Sequence, residues 1–286
     1  MSSIEADYVV VGGGLCGVVV ASLLSRSGKN PEVILLEAGS DPQGEPNTDT
    51  ILNGLRLLGG KFDYAYRSQP VSSTFNRVHT LNAGKALGGG TILNLAGWLR
   101  ADAADYDEWS KIVGDSRWSY GVFKAYLERV EKTMQVSPVS SDPERRYPLR
   151  DPVAKAWTEI GALGPEDKDA GSIEGLQEMK ENTLNGLRQP SYAAFPLDKV
   201  KVYSDTTVNK VLFAQKEEGK KPVAIGVQLA SGQQIIARKE VILSAGAYRT
   251  PQLLLLSGIG DRNALAHHGT YHLSRNEARL PIFHWA

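Results

Sequence analysis

Two runs of glycine carry the residue types that could do chemistry in this chain. In the first, an apolar run Asp7-Tyr-Val-Val-Val enters Gly12-Gly-Gly-Leu-Cys-Gly17 and an apolar helix-like segment leaves it. A second apolar run, Val33-Ile-Leu-Leu, ends on Glu37. Strand, glycine turn, helix, strand and terminal acid is the order a dinucleotide-binding βαβ unit needs. Gly12 permits the tight turn, Gly14 lets backbone approach a pyrophosphate, and Gly17 lets helix and strand pack closely. The pyrophosphate would rest on the helix N-terminus, where free N–H groups and the positive end of the dipole face it. Glu37 would accept hydrogen bonds from an adenosine ribose and repel a 2′-phosphate. The second run is Gly84-Lys-Ala-Leu-Gly88-Gly-Gly-Thr91-Ile-Leu-Asn94-Leu-Ala-Gly-Trp98. Its bare glycines, Thr91 and Asn94 expose donors that could grip a phosphate and approach a flat ring. Taken alone it reads equally well as a structural glycine turn before a helix. Cys16 reads as a small residue beneath a helix start rather than a redox centre.

The elements that must position these residues follow from periodicity. Residues 7–11 and 32–37 predict parallel strands, and residues 15–27 a helix stopped by Gly28. Residues 40–84 have poor periodicity. Residues 105–135 recover helical character, with Trp109, Trp118, Phe123, Tyr126 and Leu127 as core candidates, and residues 151–161 predict another helix. Residues 200–204, 207–214 and 223–230 predict strands, with a solvated charged turn at 216–222. Ser231-Gly232 turns into a strand at 234–237, and residues 240–246 return as a separate strand to the first sheet. Thr250 is placed as an N-cap with Pro251 at the first helical position, and Gly258 ends that helix. The fold class expected is α/β: a Rossmann-like parallel sheet with an antiparallel meander and a partial second subdomain. Nucleotide-binding segments are expected at about 5–135 and 200–262, and part of a substrate domain at about 136–199.

Composition narrows the function classes. Lysine plus arginine and aspartate plus glutamate both number 32 among 286 residues, so no excess charge points to nucleic acid or an anionic membrane surface. No apolar run is long enough to cross a bilayer. The lone cysteine excludes an internal disulfide framework and a cysteine-cluster metal site. No histidine–carboxylate spacing suggests a metal site either. The first strand begins almost at Met1, which leaves no room for a signal peptide and makes the cytoplasm the expected location.

An NAD enzyme would continue with further βα units; the long excursion, meander and return strand here resemble FAD-binding flavoproteins instead. Residues 84–107 resemble the first signature of the glucose-methanol-choline (GMC) oxidoreductase family. Gly246-Ala-Tyr-Arg-Thr250-Pro-Gln-Leu-Leu-Leu-Leu-Ser257-Gly-Ile-Gly260 resembles the second. Asp105-Tyr-Asp-Glu-Trp109, Trp118-Ser-Tyr120 and Glu240-Val-Ile-Leu-Ser-Ala-Gly246 also look like family segments. Resemblance spans Tyr8 to about Gly269 and is strongest to the fungal branch that includes glucose oxidase and aryl-alcohol oxidases. It implies FAD bound non-covalently, because Leu93 stands where covalent members carry the linking histidine. It implies that Leu15 and Cys16, in the loop of Gly12, Gly14 and Gly17, lie against the pyrophosphate and that Glu37 holds the ribose. Gly90, Asn94, Leu95 and Gly97 would line the phosphate and flavin side, with Gly88, Gly89, Thr91 and Ala96 in the same loop. Val208 would present backbone groups to the adenine.

In the family an alcohol passes hydride to the flavin while a histidine, paired with a second histidine or asparagine, takes the hydroxyl proton. Those residues lie near the C-terminus of a chain about twice this long, and residues 270–286 do not resemble the family continuation, as in a truncated or altered product. No catalytic residue is therefore assigned. His267-His268-Gly269-Thr270 mimics the histidine motif out of context, and His79, His272 and His284 read as surface or packing residues. Two expectations follow: an alcohol-oxidising flavoenzyme of possible fungal secondary metabolism, with a small-molecule alcohol as partner, or a non-catalytic FAD-binding fragment. Truncation that left buried surfaces open would make a third outcome, an unstable fragment, or invite a partner chain that no motif indicates.

Overall fold

The computed structural model describes residues 4–142, 144, 147–162, 171–173, 175–214 and 221–270. Most of the charged turn expected at 216–222 and the tail from 271, with His272 and His284, lie outside the described residues. In chain order the main elements are β1 (Ile4–Val11), α1 (Leu15–Ser25), β2 (Val33–Leu36), α2 (Ala103–Val113), α3 (Tyr120–Thr133) and α4 (Arg150–Glu159). They are followed by β3 (Lys201–Tyr203), β4 (Val208–Phe213), β5 (Ala224–Leu229), β6 (Gln234–Leu243), α5 (Gly246–Leu256) and α6 (Arg262–His267). The described residues of 1–48, 53–93 and 190–286 form one compact unit, and those of 49–52 and 94–189 form another. The division falls at Leu93/Asn94 and Gln189/Pro190, whereas the sequence patterns suggested 135 and 200.

The first unit is built on a six-stranded sheet in the order β3-β2-β1-β6-β5-β4. β1 runs parallel to both β2 and β6, and β3 parallel to β2, while β6, β5 and β4 form the antiparallel meander. The expected α/β architecture is what folds. Val9–Val11 of β1 and all of β2 are apolar on both faces, as strands of a covered parallel sheet are, and Val9, Val10 and Leu35 are each 0% exposed.

Three local expectations fail, each for a physical reason. Gly28 does not stop α1; the helix ends at Ser25 with Arg26 as its cap. The Arg26 guanidinium donates to the Ser22 carbonyl, satisfying a last-turn acceptor two residues early. Residues 234–246 are not two strands but one, β6, with a bulge: Ala6 pairs with Ala237 and Tyr8 with Glu240, so Arg238 and Lys239 together oppose Asp7. Both cations pair with that carboxylate at 3.3 Å. Thr250 and Pro251 do not open α5. It starts at Gly246 with Ala245 as N-cap, and Pro251 lies inside the helix. Two residues are all that separate β6 from α5, so the helix starts at the end of its strand and Pro251 forfeits one interior hydrogen bond. Gly258 does end it, at φ +83°, with Gly258 N–H on Leu255 O and Ile259 N–H on Leu254 O.

The second unit is held together by polar anchors. Asp102 and Asp105 form a reciprocal capping box on α2. Arg100 grips both Glu131 oxygens at 2.6 Å, and Trp98 Nε1 donates to Oε1 at 3.0 Å. Burial opposes ionisation of Glu131, but the Arg100 and Trp98 donors outweigh it and hold its carboxyl below the usual range. α2, α3 and α4 contain no buried residue. The core assignment of Trp109, Trp118 and Tyr126 is therefore corrected: they are 58%, 41% and 53% exposed. They stack on one another instead, Trp109 on Trp118 at 6.0 Å and Trp118 on Phe123 at 5.8 Å. Among the described residues no helix is long and apolar enough to cross a membrane.

Candidate functional site

At the carboxyl end of β1 the chain turns through Gly12 and Gly13, and Gly14 becomes the N-cap of α1 without any side-chain cap. Val18 N–H bonds back to Gly14 O at 3.0 Å; the N–H groups of Leu15, Cys16 and Gly17 have no acceptor among the described residues. These orphan donors at the positive end of an eleven-residue helix make an anion seat. Leu15 and Cys16 are exposed there. That corrects the reading of Cys16 as a residue tucked beneath the helix start.

The glycines of this loop divide into two kinds. A Cβ on Gly17 would lie 1.8 Å from Gly12 O, so the loop closes only if residue 17 has no side chain. Gly14 is different: a Cβ there meets nothing nearer than Gly89 Cα at 3.8 Å, and its φ of −74° suits any residue. Nothing in the fold requires glycine at 14, so its bareness serves open space in front of the helix.

The second glycine run meets the first. Gly88 N–H donates to Gly13 O at 2.7 Å, and a Cβ on Gly89, whose φ is +53°, would lie 2.7 Å from Gly14 Cα. Leu87 N–H donates to Ser40 O, and Ser40 bridges Ala86, so the loop after β2 is laced to the same ribbon. Thr91 does not face outward as its sequence position suggested. It is 5% exposed; its hydroxyl donates to Gly88 O at 2.6 Å and accepts from Ser191 N–H at 3.1 Å, so it shapes the loop. Gly90, beside it, is exposed.

Glu37 lies where β2 ends, 6% exposed. Its Oε2 accepts from Gly13 N–H at 2.7 Å and its Oε1 from Gly39 N–H at 2.8 Å. Each oxygen keeps a further lone pair for a ligand hydroxyl. Burial pushes its carboxyl above the ordinary range; the N–H donors of Gly39 and Gly13 only partly offset that. Val208 opens β4, opposite Leu229 of β5.

Asn94, Leu95, Ala96 and Gly97 belong to the second unit. There the Asn94 side-chain oxygen accepts from Ala96 N–H at 3.2 Å and from Arg188 Nη1 at 2.8 Å, while Ala96 holds a left-handed φ of +59°. Leu95 is 55% exposed. Their part in a shared site with the glycine loops is an expectation carried by the resemblance.

Sequence reading missed Asp63, Tyr64 and Arg249. Asp63 orders the stretch that looked irregular: its carboxylate accepts from Gly59, Ala65 and Ala83 N–H groups, each at 2.9 Å, and from Asn82 Nδ2. That stretch presents Tyr64 and Tyr66, stacked at 5.0 Å. Arg249, from the first turn of α5, lies 4.6 Å from the Tyr64 ring centroid and donates to Tyr66 Oη at 2.7 Å. Burial raises the Tyr64 phenol, and the Glu37 charge adds to the shift. Tyr64 and Tyr66 at i and i+2 were a visible strand-like signal; their meeting with Arg249 depends on contacts 183 residues apart.

Among the described residues the other polar groups do not assemble into a second reactive centre. A cavity of about 370 Å³ is lined by Asp41, Leu87, Tyr192, Asp198 and Ser204, among others, and two carboxylates make it hostile to phosphate. His79 bonds to Thr74 Oγ1 at 2.8 Å, and His267 packs edge-on against His268. No cluster of three metal-ligating side chains occurs among the described residues.

Comparison with known proteins agrees with this geometry. The GMC oxidoreductase family model matches residues 6–276. The chain is 36% identical over 265 residues to the GMC-type oxidoreductase acuG of Aspergillus aculeatus, covering 92% of this chain and 48% of that protein. It is 31% identical over 284 residues to glucose dehydrogenase [FAD, quinone] of Drosophila pseudoobscura, covering 91% and 44%. Among solved structures, an Aspergillus oryzae formate oxidase variant studied for FAD modification superposes with a TM-score of 0.83 at 27% identity, over 95% of this chain and 51% of that one. A fungal aryl-alcohol oxidase shares the fold, with a TM-score of 0.73 at 20% identity. The chain spans about half the length of the curated relatives it matches. With its two glycine ribbons joined above Glu37 and the family match running almost end to end, the chain belongs to the GMC oxidoreductase family.

Proposed function

We propose that this chain binds FAD non-covalently and contributes the nucleotide-binding half of an alcohol-oxidising flavoenzyme. The observation that carries the reading is the anion seat: three unpaired N–H groups at the start of α1, faced by Gly14 and bordered by the Gly88–Gly89 ribbon. A phosphate-like group suits those donors, because the N–H groups and the positive end of the helix dipole both favour an anion. Glu37 is the ribose acceptor, already oriented by Gly13 and Gly39. Val208, at the start of β4, would supply backbone groups to the adenine, as the resemblance implies. Leu93 offers no nucleophilic atom for a covalent flavin link.

FAD held by the glycine loops and Glu37 would supply the hydride-accepting chemistry for alcohol oxidation. The residues of this chain bind and orient the cofactor; the resemblance assigns the proton-accepting histidine to family length that this chain does not match. A second reading is a FAD-holding module that oxidises no alcohol by itself. Purified protein separates the readings. Yellow colour released by acid precipitation supports non-covalent FAD. Anaerobic bleaching by a primary alcohol or sugar supports the enzyme, and a yellow sample that no alcohol bleaches supports the module. A protein that takes up no FAD contradicts both.

A further inference from the structure

Arg188 is a buried cation, 5% exposed, and it holds a residue that is itself open to solvent. Its Nη1 donates to the Asn94 backbone carbonyl at 2.5 Å and to the Asn94 side-chain oxygen at 2.8 Å. Its Nη2 donates to Ile51 O at 3.3 Å, and its own backbone N–H donates to Asp49 O at 2.6 Å. One residue thereby ties the 49–52 segment of the second unit to both ends of its 94–189 segment. Burial works against the Arg188 charge, and an apolar side chain would fill the same space without that penalty. What only a guanidinium does here is deliver fixed, forked donors to oxygens on separate segments.

The consequence for Asn94 is directional. The Asn94 side-chain oxygen accepts from two donors at once, Arg188 Nη1 and the Ala96 N–H at 3.2 Å. Ala96 is 1% exposed and holds its left-handed φ of +59°, which turns that N–H back onto Asn94. Asn182 N–H donates to Ala96 O at 3.1 Å and fixes the turn from its other side. Flipping the carboxamide would set its NH2 group against both donors, so the oxygen stays inward and Nδ2 outward. Asn94 is exposed, and its Nδ2 has no hydrogen-bond partner among the described residues. A freely rotating surface asparagine offers a donor or an acceptor; this one offers a donor alone, ordered before any ligand arrives. The geometry points to Arg188 as a positioning residue, which holds Asn94 so that Nδ2 donates to an acceptor oxygen or nitrogen of bound FAD. The inference rests on the FAD reading and deepens it, with Arg188 acting through Asn94.

The test is a double-mutant cycle read by calorimetric titration of FAD, and separately of ADP, into the wild-type chain, Asn94→Ala, Arg188→Lys and the double variant. Lysine keeps the charge and loses the fork; Arg188→Gln takes its place if circular dichroism shows that Arg188→Lys does not fold. Each single variant is expected to weaken FAD binding about tenfold, and the double variant no more than either. ADP carries the pyrophosphate without the flavin. An equal loss for ADP places the Nδ2 bond on the pyrophosphate. Unchanged ADP binding places it on the flavin end, and both single variants then shift the visible absorption bands of bound flavin alike. A merely structural arginine gives additive losses, or no loss at Arg188, and either result overturns the inference. So does wild-type affinity in Asn94→Ala. A wild-type chain that takes up no FAD defeats the FAD reading and this inference with it, whereas FAD uptake with uncoupled variants defeats the positioning role alone.

Discussion

The two compact units solve the same problem with opposite means. The nucleotide-binding unit buries valines and leucines of β1 and β2 to near-zero exposure and brings distant backbone into contact where only glycine fits. The second unit caps α2 with Asp102 and clamps Glu131 with Arg100, yet its three main helices hold no buried residue. Local signals thus suffice to make helices, whereas a core needs a second apolar face. The difference teaches that most of the described apolar burial lies in the first unit, while the main helices of the second are held by polar and ring-to-ring contacts.

Substitutions break this contrast in graded steps. The largest effect is expected from Gly17→Val, which drives a side chain into Gly12 O and should cost more than about 4 kcal/mol, read as loss of the cooperative thermal transition. Next comes a matched pair. Ile92→Ala, at 0% exposure in the first unit, should cost about 2–5 kcal/mol in denaturant midpoint, whereas Trp109→Ala in the second should cost under about 1.5 kcal/mol. Equal losses would refute the contrast. Asp63→Asn keeps the Oδ1 bonds to Ala65 and Ala83 but leaves the Gly59 N–H without an acceptor, for about 1–3 kcal/mol by chemical denaturation.

Acid titration sharpens the same picture through two carboxylates with opposite signs. Burial opposes ionisation of Asp63, but its donors hold the group below the ordinary value of 3.8. Its stabilisation is complete above that value and is lost as pH falls through the lowered folded pKa. Glu37 is raised above 4.5 by burial. Its contribution is fully present below 4.5 and is lost as pH rises through the raised folded pKa, so apoprotein stability should increase on mild acidification. Glu37→Gln should remove that rise; a rise that persists in the variant assigns it elsewhere.

How much of this was legible before the structure depends on whether the cause was local. The βαβ unit and Glu37 were visible because backbone crowding dictates glycine spacing, whereas the bond of Gly88 to Gly13 joins residues far apart in the chain and has no local signal. Thr91 was placed in the right loop with the wrong orientation, since its partner Ser191 is 100 residues away. Arg238 and Lys239 looked like a strand break because a bulge and a turn share polar residues, and only Asp7 across the sheet distinguishes them. Trp109 and Trp118 looked like core because large aromatics usually are; what covers them is not written in their own helices. Tyr64 and Arg249 left no local mark of their partnership.

Gly14 offers the cleanest test of the central claim, because the fold tolerates a side chain there and a bound pyrophosphate would not. The measurement is calorimetric titration of FAD into the wild-type protein and Gly14→Val, with circular dichroism confirming an intact sheet. The account predicts at least about a hundredfold weaker FAD binding by a variant that remains folded. Undiminished affinity in that folded variant would contradict it.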